Sequence, residues 1–265
     1  VIAPSQKAQS KSTVGTSVTI FDEATIAKSN SYFLGDVIGS GSASLNNFQT
    51  GGYGSTSGIQ LRGLPKRYST VYIDGVKQYD PGSPSGDYGF ENLLKDQISR
   101  VEILKGNQSS VYGSGAMGGT INITTKRGKQ GFQKSSSYNT GSNGTHNLAL
   151  SMSGADEKND FYLGVEKFMT QGISQMTDND EKDGYDNSTV AASYGYKLTD
   201  KIKLENNIRY LVGATAYDTV SQSSVKALED DEDQVQDEFS LNTSLLFDYN
   251  EQFSNKLTFS KYNMK

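Results

Sequence analysis

The sequence of 265 residues has no cysteine, no tryptophan, only 4 prolines and only 1 histidine. The lack of cysteine excludes disulfide bonds and thiolate metal sites, and a single histidine cannot form a nitrogen-ligand cluster. Long apolar runs are also missing: hydrophobic residues make up 34% and the mean hydropathy is −0.58, so no transmembrane helix is predicted. A formal charge of −5 with intermixed signs argues against nucleic acid as a partner.

Glycine is abundant, with 28 residues, and tyrosine outnumbers phenylalanine by 16 to 11. This balance favours short strands and tight turns over helices. The length allows one large or two small domains. No signal peptide precedes Val1, so we expect either a cytoplasmic chain or a mature form from which the leader was removed.

The front half of the sequence has the signals of a small α+β domain. Asp22 is a good N-cap for a helix over residues 23–28, and a second helix is predicted over residues 32–38. Residues 46–58 indicate a loop, and residues 92–97 a helical turn. The Asp74-Gly75 pair between apolar runs predicts a hairpin with a type I′ turn.

From about residue 131 apolar and polar residues alternate in about seven segments, each near the ~10 residues that a tilted membrane-crossing strand needs. Short polar connections, at residues 156–159, 199–201 and 250–255, alternate with long ones at 172–186 and 213–237. The hairpin at residues 141–144 departs from this alternation, because it has a tight turn where a long connection is expected. Outer-membrane barrels have such alternation because their periplasmic turns are short and their extracellular loops are long.

Four motifs occur in one order along the front half. They are Leu61-Arg62-Gly63, the Asp74-Gly75 hairpin, a V-E-x-x-x-G pattern from Val101 to Gly106, and the strand–turn–strand segment over residues 98–126. Together they resemble the plug domain of TonB-dependent outer-membrane receptors. The resemblance implies an α+β plug domain followed by antiparallel β-strands of a transmembrane β-barrel, as a truncated form of a barrel of about 22 strands. We assign residues 1–12 to a flexible segment, 13–130 to the plug and 131–265 to the first part of the barrel.

The resemblance implies energy-coupled uptake of a scarce nutrient across the outer membrane of a Gram-negative bacterium. The expected partners are TonB with its inner-membrane energising complex, outer-membrane lipid, and a small ligand such as a corrinoid or a ferric siderophore. Val1, Ile2 and Ala3 resemble the remnant of a TonB box, which could add as a strand to a sheet edge of the periplasmic partner.

By order and spacing, three plug loops occupy the places of the substrate loops of the vitamin B12 receptors. Their aromatic, amide and charged side chains suit a polar, partly planar ligand. The predicted ligand-binding residues are Phe48, Gln49, Tyr53, Lys66, Arg67, Tyr68, Tyr79, Asp80, Asp87 and Tyr88.

Arg62, Glu102 and Lys105 match charged positions of the plug motifs. They are predicted either to form an ion pair that stabilises the plug sheet or to lock the plug against the barrel interior. No cofactor is expected to be required, but dense carboxylates in two loops could bind Ca²⁺. The candidate calcium ligands are Asp178, Asp180, Asp183, Asp218 and Asp230.

Two other classes of protein remain open. A soluble or surface β-rich adhesin would account for the alternation and the tyrosine content, but not for the plug motifs. An oxidoreductase would rest on the G-x-G-x-x-G pattern over residues 113–118 alone. That pattern binds a dinucleotide only before a helix, whereas residues 120–125 predict a strand. We find no catalytic constellation and expect no enzyme activity.

Overall fold

A computed structural model describes residues 15–174, 182–220, 227–250 and 253–265, and it contains an N-terminal domain and a C-terminal sheet. The elements of the N-terminal domain are β1 Ser17–Asp22, α1 Glu23–Lys28, α2 Leu34–Ser40, β2 Leu45–Gln49, β3 Ser57–Leu61, β4 Ser69–Ile73, β5 Val76–Gln78, β6 Ile98–Lys105, α3 Ser109–Tyr112 and β7 Gly119–Thr125. Five strands form a mixed sheet in the order β1-β6-β7-β4-β5, and β2 pairs with β3 separately. Within the described residues, no helix has both the length and the apolar character needed to cross a bilayer.

The first helix has the predicted bounds and the predicted cap. The Thr25 backbone N–H donates to Asp22 Oδ1 at 2.8 Å, which satisfies one of the free donors at the start of α1. The helix buries Ile26 in a core that the sheet and α2 complete, with Ile38, Val101 and Ile121 fully enclosed. This core is built from residues between positions 21 and 123, so the N-terminal domain has a hydrophobic core of its own.

Helix α2 begins two residues later than the sequence predicts. Phe33 is extended and forms a β-bridge with Leu94, and the Lys95 backbone N–H donates to Tyr32 O at 3.1 Å. These contacts hold residues 32 and 33 out of the helix. The predicted helical turn at residues 92–97 does not form, because Leu94 and Lys95 pair with residues 33 and 32 instead.

The predicted loop at residues 46–58 is wrong at both ends, since β2 and β3 form an antiparallel hairpin with Asn47 opposite Ile59. The Asn47 amide donates to Asp36 of α2 at 2.8 Å, so a helix contact supports this hairpin. In the second hairpin, Asp74 and Gly75 have φ values of 50° and 82°, as the predicted type I′ turn requires.

The C-terminal sheet has seven antiparallel strands in chain order, which confirms the alternating segments. They are β8 Gly131–Gly141, β9 Thr145–Ala155, β10 Asn159–Thr170, β11 Tyr185–Thr199, β12 Ile202–Val220, β13 Ala227–Asp248 and β14 Ser254–Met264. One face carries exposed apolar side chains such as Leu150 and Val165, and the other carries buried polar side chains such as Asn187 and Thr189. The N-terminal domain covers the polar face, where the Asn187 amide donates to Asn92 O and the Gln97 amide donates to Thr189 O, both at 3.0 Å.

The predicted long loop at residues 213–237 is largely strand. The ladder between β12 and β13 continues through Thr215 opposite Gln234 and reaches Val220 opposite Ala227. Backbone hydrogen bonds in such a ladder do not depend on side-chain alternation, so the acidic composition of this segment misled the prediction.

The two ends of the sheet differ. The short turns between β9 and β10, between β11 and β12 and between β13 and β14 lie at one end, the short-turn end. The end of β10, the start of β11 and the paired residues Val220 and Ala227 of β12 and β13 lie at the other, the long-loop end. Arg127, just after the N-terminal domain, binds Asp160 and Glu205 near the short turns. Asn92 contacts Tyr185 near the long-loop end, which places the loop before it on that side.

Candidate functional site

Two loops and the β2–β3 hairpin of the N-terminal domain line an open cavity of about 220 Å³. The loops are those that follow β3 and β5, and the paired strands β2 and β3 contribute Phe48 and Gln60. The lining residues are Phe48, Gln60, Pro65, Lys66, Arg67, Ser85 and Asp87. We call this cavity the loop pocket.

One wall of the loop pocket is an ion pair between two of its loops. Lys66 Nζ lies 3.2 Å from Asp87 Oδ2, and the Ser83 hydroxyl donates to Asp87 Oδ1 at 2.5 Å. Burial by itself would raise the pKa of Asp87, but the Ser83 hydrogen bond and the Lys66 ammonium together lower it below its usual range. Asp87 is therefore a carboxylate at neutral pH and is held in place by Lys66.

Arg67 supplies a second positive charge. Its guanidinium lies 4.9 Å from the centroid of the Tyr68 ring, a cation–π geometry, and it has no carboxylate partner within the described part of the chain. Because Lys66 and Asp87 balance each other, Arg67 leaves the pocket with an excess of positive charge. With Phe48 beside it, the pocket offers one apolar surface and a guanidinium suited to oxygen acceptors.

Behind the pocket, a partly buried carboxyl links the segment after β5 to β3. Glu91 Oε2 accepts from the Ser57 backbone N–H at 3.0 Å and from the Ser57 hydroxyl at 3.2 Å. Burial raises the pKa of Glu91. Lys66 Nζ also donates to Ser57 O at 3.4 Å, so the same serine links Glu91 to the pocket wall.

Of the ten predicted ligand-binding residues, the loop pocket brings together Phe48, Lys66, Arg67 and Asp87. Gln49 and Asp80 make hydrogen bonds inside their own loops, to Gly52 O and from the Gly82 backbone N–H. Sequence reasoning missed Gln60, Pro65 and Ser85 in the lining. Gln60 was predicted to lie in a hairpin strand, and only the pairing of β3 with β2 shows that it lines the pocket with Phe48.

Three predicted tyrosines lie away from the pocket. Tyr53 stacks on Phe33 with ring centroids 5.3 Å apart, in an aromatic cluster between the N-terminal domain and the C-terminal sheet. Tyr79 packs edge-on against Tyr262 at 5.1 Å. Tyr88 is buried, and its hydroxyl donates to Glu238 Oε2 at 3.1 Å.

The predicted lock residues have different surroundings. Arg62 is exposed and has a φ of 53°, at the turn after β3. Glu102 is buried and pairs with Arg100, whose Nε lies 2.7 Å from its Oε1. Lys105 is buried and donates to Ser44 Oγ at 2.5 Å. Contacts within the N-terminal domain thus engage both of the predicted lock residues on β6.

Several predicted sites lie outside the described residues. Val1, Ile2 and Ala3 of the TonB-box prediction are among them, as are Asp178 and Asp180 and the side chains of Asp218 and Asp230. Asp183 alone of the calcium candidates is described, and the described residues contain no cluster of three or more histidine, cysteine or acidic side chains able to hold a metal ion. The calcium site and the TonB box stay predictions.

The glycine-rich segment over residues 113–118 leads into strand β7, as predicted. Gly113 has a φ of 86° and ends the single turn of α3. No helix follows that could receive a pyrophosphate, so the segment lacks the geometry of a dinucleotide site.

Comparison with known proteins agrees with this architecture. The model of the family described as TonB-dependent Receptor Plug Domain matches residues 10–120. The vitamin B12 transporter BtuB of Photobacterium profundum is 30% identical over 172 residues, which cover 64% of this chain and 28% of that protein. The chain therefore spans less than a third of the length of this curated relative.

Solved structures share the fold over almost the whole chain. The ferripyoverdine receptor of the outer membrane of Pseudomonas aeruginosa matches with a TM-score of 0.75 and 14% identity, over 99% of this chain and 36% of that one. The siderophore receptor PirA of Acinetobacter baumannii matches with a TM-score of 0.72 and 16% identity, over 93% and 40%. The copper transporter OprC has a TM-score of 0.70 at 14% identity, over 93% and 37%.

Proposed function

Since this chain consists of the plug domain of a TonB-dependent receptor and antiparallel strands of the barrel type that surrounds it, we propose that it takes up a scarce nutrient. The uptake would cross the outer membrane of a Gram-negative bacterium and would depend on energy from TonB. The loop pocket is the observation that carries the proposal. It gathers an aromatic side chain from β2 and charged side chains from the loops after β3 and β5, in the domain that covers the polar face of the sheet.

Cobalamin is the ligand we propose first. The relative at 30% identity is a vitamin B12 transporter, whereas the siderophore and copper proteins are matched at 14–18% identity and indicate only the fold. The guanidinium of Arg67 would face the amide and phosphate oxygens of a corrinoid. Phe48 would face its planar ring.

A ferric siderophore is the second candidate, because the pocket carries an excess positive charge. Arg67 has no acidic partner in the described ranges, and Lys66 would be released for a ligand anion if Asp87 moved away. An anionic iron chelate would gain more from these two cations than a neutral corrinoid.

TonB is the proposed partner, and Val1–Ala3 is the proposed part of its docking segment. Strand addition to a sheet edge would let the partner pull on the plug domain through main-chain hydrogen bonds. Calcium bound by Asp178 and Asp180 is a further proposal and would order the loops next to the ligand.

Uptake measurements test the function directly. The complete receptor would be expressed in a strain that lacks its own cobalamin receptor, and uptake of radiolabelled cyanocobalamin and of a ferric catecholate would be measured. We expect energy-dependent uptake of one ligand, and we expect removal of Val1–Ala3 to abolish uptake while surface binding persists.

The controls separate the proposed classes of protein. Binding without uptake in a strain with active TonB would contradict the transport proposal and favour a surface adhesin. Equal loss of binding and uptake on removal of Val1–Ala3 would contradict the coupling role of that segment. Binding of cyanocobalamin that is indifferent to calcium would end the proposal of a calcium site.

A further inference from the structure

A charged cluster on the inner face of the C-terminal sheet receives one side chain from the plug domain. Glu238 of β13 is 1% exposed, and its Oε2 accepts from the Tyr88 hydroxyl at 3.1 Å and from Arg209 Nη1 of β12 at 3.1 Å. The Gln236 amide donates to the other oxygen, Oε1, at 2.7 Å. Burial raises the pKa of Tyr88 well above its ordinary value and nearby Glu238 adds to the shift, so the hydroxyl keeps its proton and acts as the donor.

This contact is specific because both charges are enclosed. Arg209 and Glu238 are 4% and 1% exposed, so their carboxylate–guanidinium pair has lost its hydration. Buried charges need all their hydrogen bonds, and losing one donor costs more here than at the surface. The Tyr88 hydroxyl is thus held in one position by a partner that has little freedom to move.

A second contact anchors the same segment four residues later. The Tyr185 hydroxyl donates to Asn92 Oδ1 at 2.6 Å, and the Asn187 amide donates to Asn92 O at 3.0 Å. A Cβ atom at Gly213 would lie 2.4 Å from Asn92 Oδ1, so the strand has room for this side chain only because position 213 is glycine. Residues 87–92, which we call the strap, are therefore fixed to the sheet near both ends.

The strap also forms part of the loop pocket. Asp87 immediately precedes Tyr88 and pairs with Lys66 at 3.2 Å, and Glu91 accepts from the Ser57 backbone N–H. The backbone from residue 87 to residue 88 thus joins the pocket ion pair to the cluster in the sheet. Fixing Tyr88 limits the positions that Asp87 can take.

We propose that Tyr88, Glu238 and Arg209 are positioning residues, which hold Asp87 against Lys66 and so set the geometry of the loop pocket from the C-terminal sheet. The inference rests on the proposed function for its ligand, but the ion pair it concerns is present without ligand. Preorganising a pocket wall raises affinity because less ordering has to occur on binding.

The chemical reactivity of Lys66 in the complete, ligand-free receptor tests the inference. Acetic anhydride would label lysines in membranes that contain the receptor, and mass spectrometry would give the rate at Lys66 relative to exposed Lys77 of β5. We expect Tyr88→Phe, which removes only the hydroxyl, to raise the relative rate at Lys66. The expected increase is about threefold, which corresponds to a weak energetic coupling between neighbouring residues. Tyr72→Phe is the matched control, because the Tyr72 hydroxyl donates to Tyr112 O, within the plug domain.

A double-variant cycle separates positioning from a general loss of structure. Asp87→Asn should raise the reactivity of Lys66 by itself, and adding Tyr88→Phe should change it no further. An unchanged rate in Tyr88→Phe, or additive effects of the two changes, would overturn the inference. If Tyr88→Phe does not assemble, Glu238→Gln, which weakens the acceptor, should raise the rate in the same direction.

Ligand binding provides a second reading. If cyanocobalamin binds the receptor, Tyr88→Phe should weaken binding about tenfold, which corresponds to roughly 1.4 kcal/mol. Absence of cyanocobalamin binding would contradict only the first ligand of the proposed function, because the Lys66 rates decide the inference without it.

Discussion

At the scale of single residues, Asp74 combines a left-handed backbone with an enclosed carboxyl group. Its φ is 50°, and its two carboxylate oxygens accept from the Thr125 backbone N–H at 2.9 Å and from the Thr125 hydroxyl at 2.7 Å. Sequence reasoning predicted the turn, because Asp-Gly is the residue pair that a type I′ turn prefers. It did not predict the bond to Thr125, which lies 51 residues away.

Burial raises the pKa of Asp74 above its ordinary value of 3.8. The folded state therefore holds the proton more tightly than the unfolded chain. The resulting stabilisation is complete below the unfolded pKa and is lost as the pH rises through the folded pKa. Asp74→Asn keeps an oxygen for the Thr125 N–H and tolerates positive φ. We expect this variant not to lose stability as the pH rises, because its side chain does not ionise.

Calorimetric melting of the complete receptor in detergent, from about pH 4 to about pH 7, measures the effect across the range in which a raised carboxyl pKa titrates. The variant should gain stability relative to the wild type as the pH rises. Asp200→Asn, in an exposed short turn, is the control for removal of a surface carboxyl group. A parallel profile for Asp74→Asn and the wild type would contradict the prediction.

At the scale of elements, the strands of the C-terminal sheet follow from the alternation of their side chains. Leu163 on β10 lies opposite Met152 on β9 and Ala192 on β11, and both Leu163 and Met152 are more than a third exposed. The extra length of β12 and β13 did not follow, because ladder hydrogen bonds extend a hairpin without any apolar face. Similarly, the start of α2 is shifted by two residues because Phe33 pairs with Leu94, which no local signal near residue 33 encodes.

If the exposed apolar face of the sheet lies in lipid, an arginine at Leu163 should impair assembly. The expected cost is about 2–4 kcal/mol near the middle of a bilayer, because the charge loses its hydration. The folded fraction of the complete receptor in outer membranes, read from its heat-modifiable electrophoretic mobility, should fall. Glu157→Arg, in the exposed turn between β9 and β10, introduces the same side chain and should assemble normally. Normal assembly of Leu163→Arg would contradict a lipid-facing role.

At the scale of the whole molecule, the plug domain and the sheet approach each other closely at a few positions. Gly54 has a φ of 81°, and a Cβ atom there would lie 2.3 Å from Thr215 Oγ1 and 2.3 Å from Tyr185 Cδ2. The same loop packs Tyr53 against Phe168, with centroids 5.0 Å apart. The loop after β2 is thus wedged against β10, β11 and β12.

We therefore expect Gly54→Ala to loosen this docking, because it adds steric overlap and the cost of an alanine at positive φ, about 1–2 kcal/mol. Hydrogen exchange of residues 50–56 in the complete receptor should accelerate. Gly52→Ala is the matched control from the same loop, since a Cβ atom there meets nothing within 4 Å. Equal protection in both variants would show that the close approach is not needed for docking.

Local sequence patterns were enough to predict the class of the molecule. The four motifs, the Asp74-Gly75 turn, the capped first helix and the alternating strands are local patterns, and each is encoded within a few neighbouring residues. Packing of the whole chain, by contrast, selects which predicted side chains share the loop pocket and which hold the plug domain to the sheet. Tyr88 and Glu238 are separated by 150 positions, and nothing near either residue specifies a contact at that distance. Such contacts arise from the joint packing of two separately patterned domains.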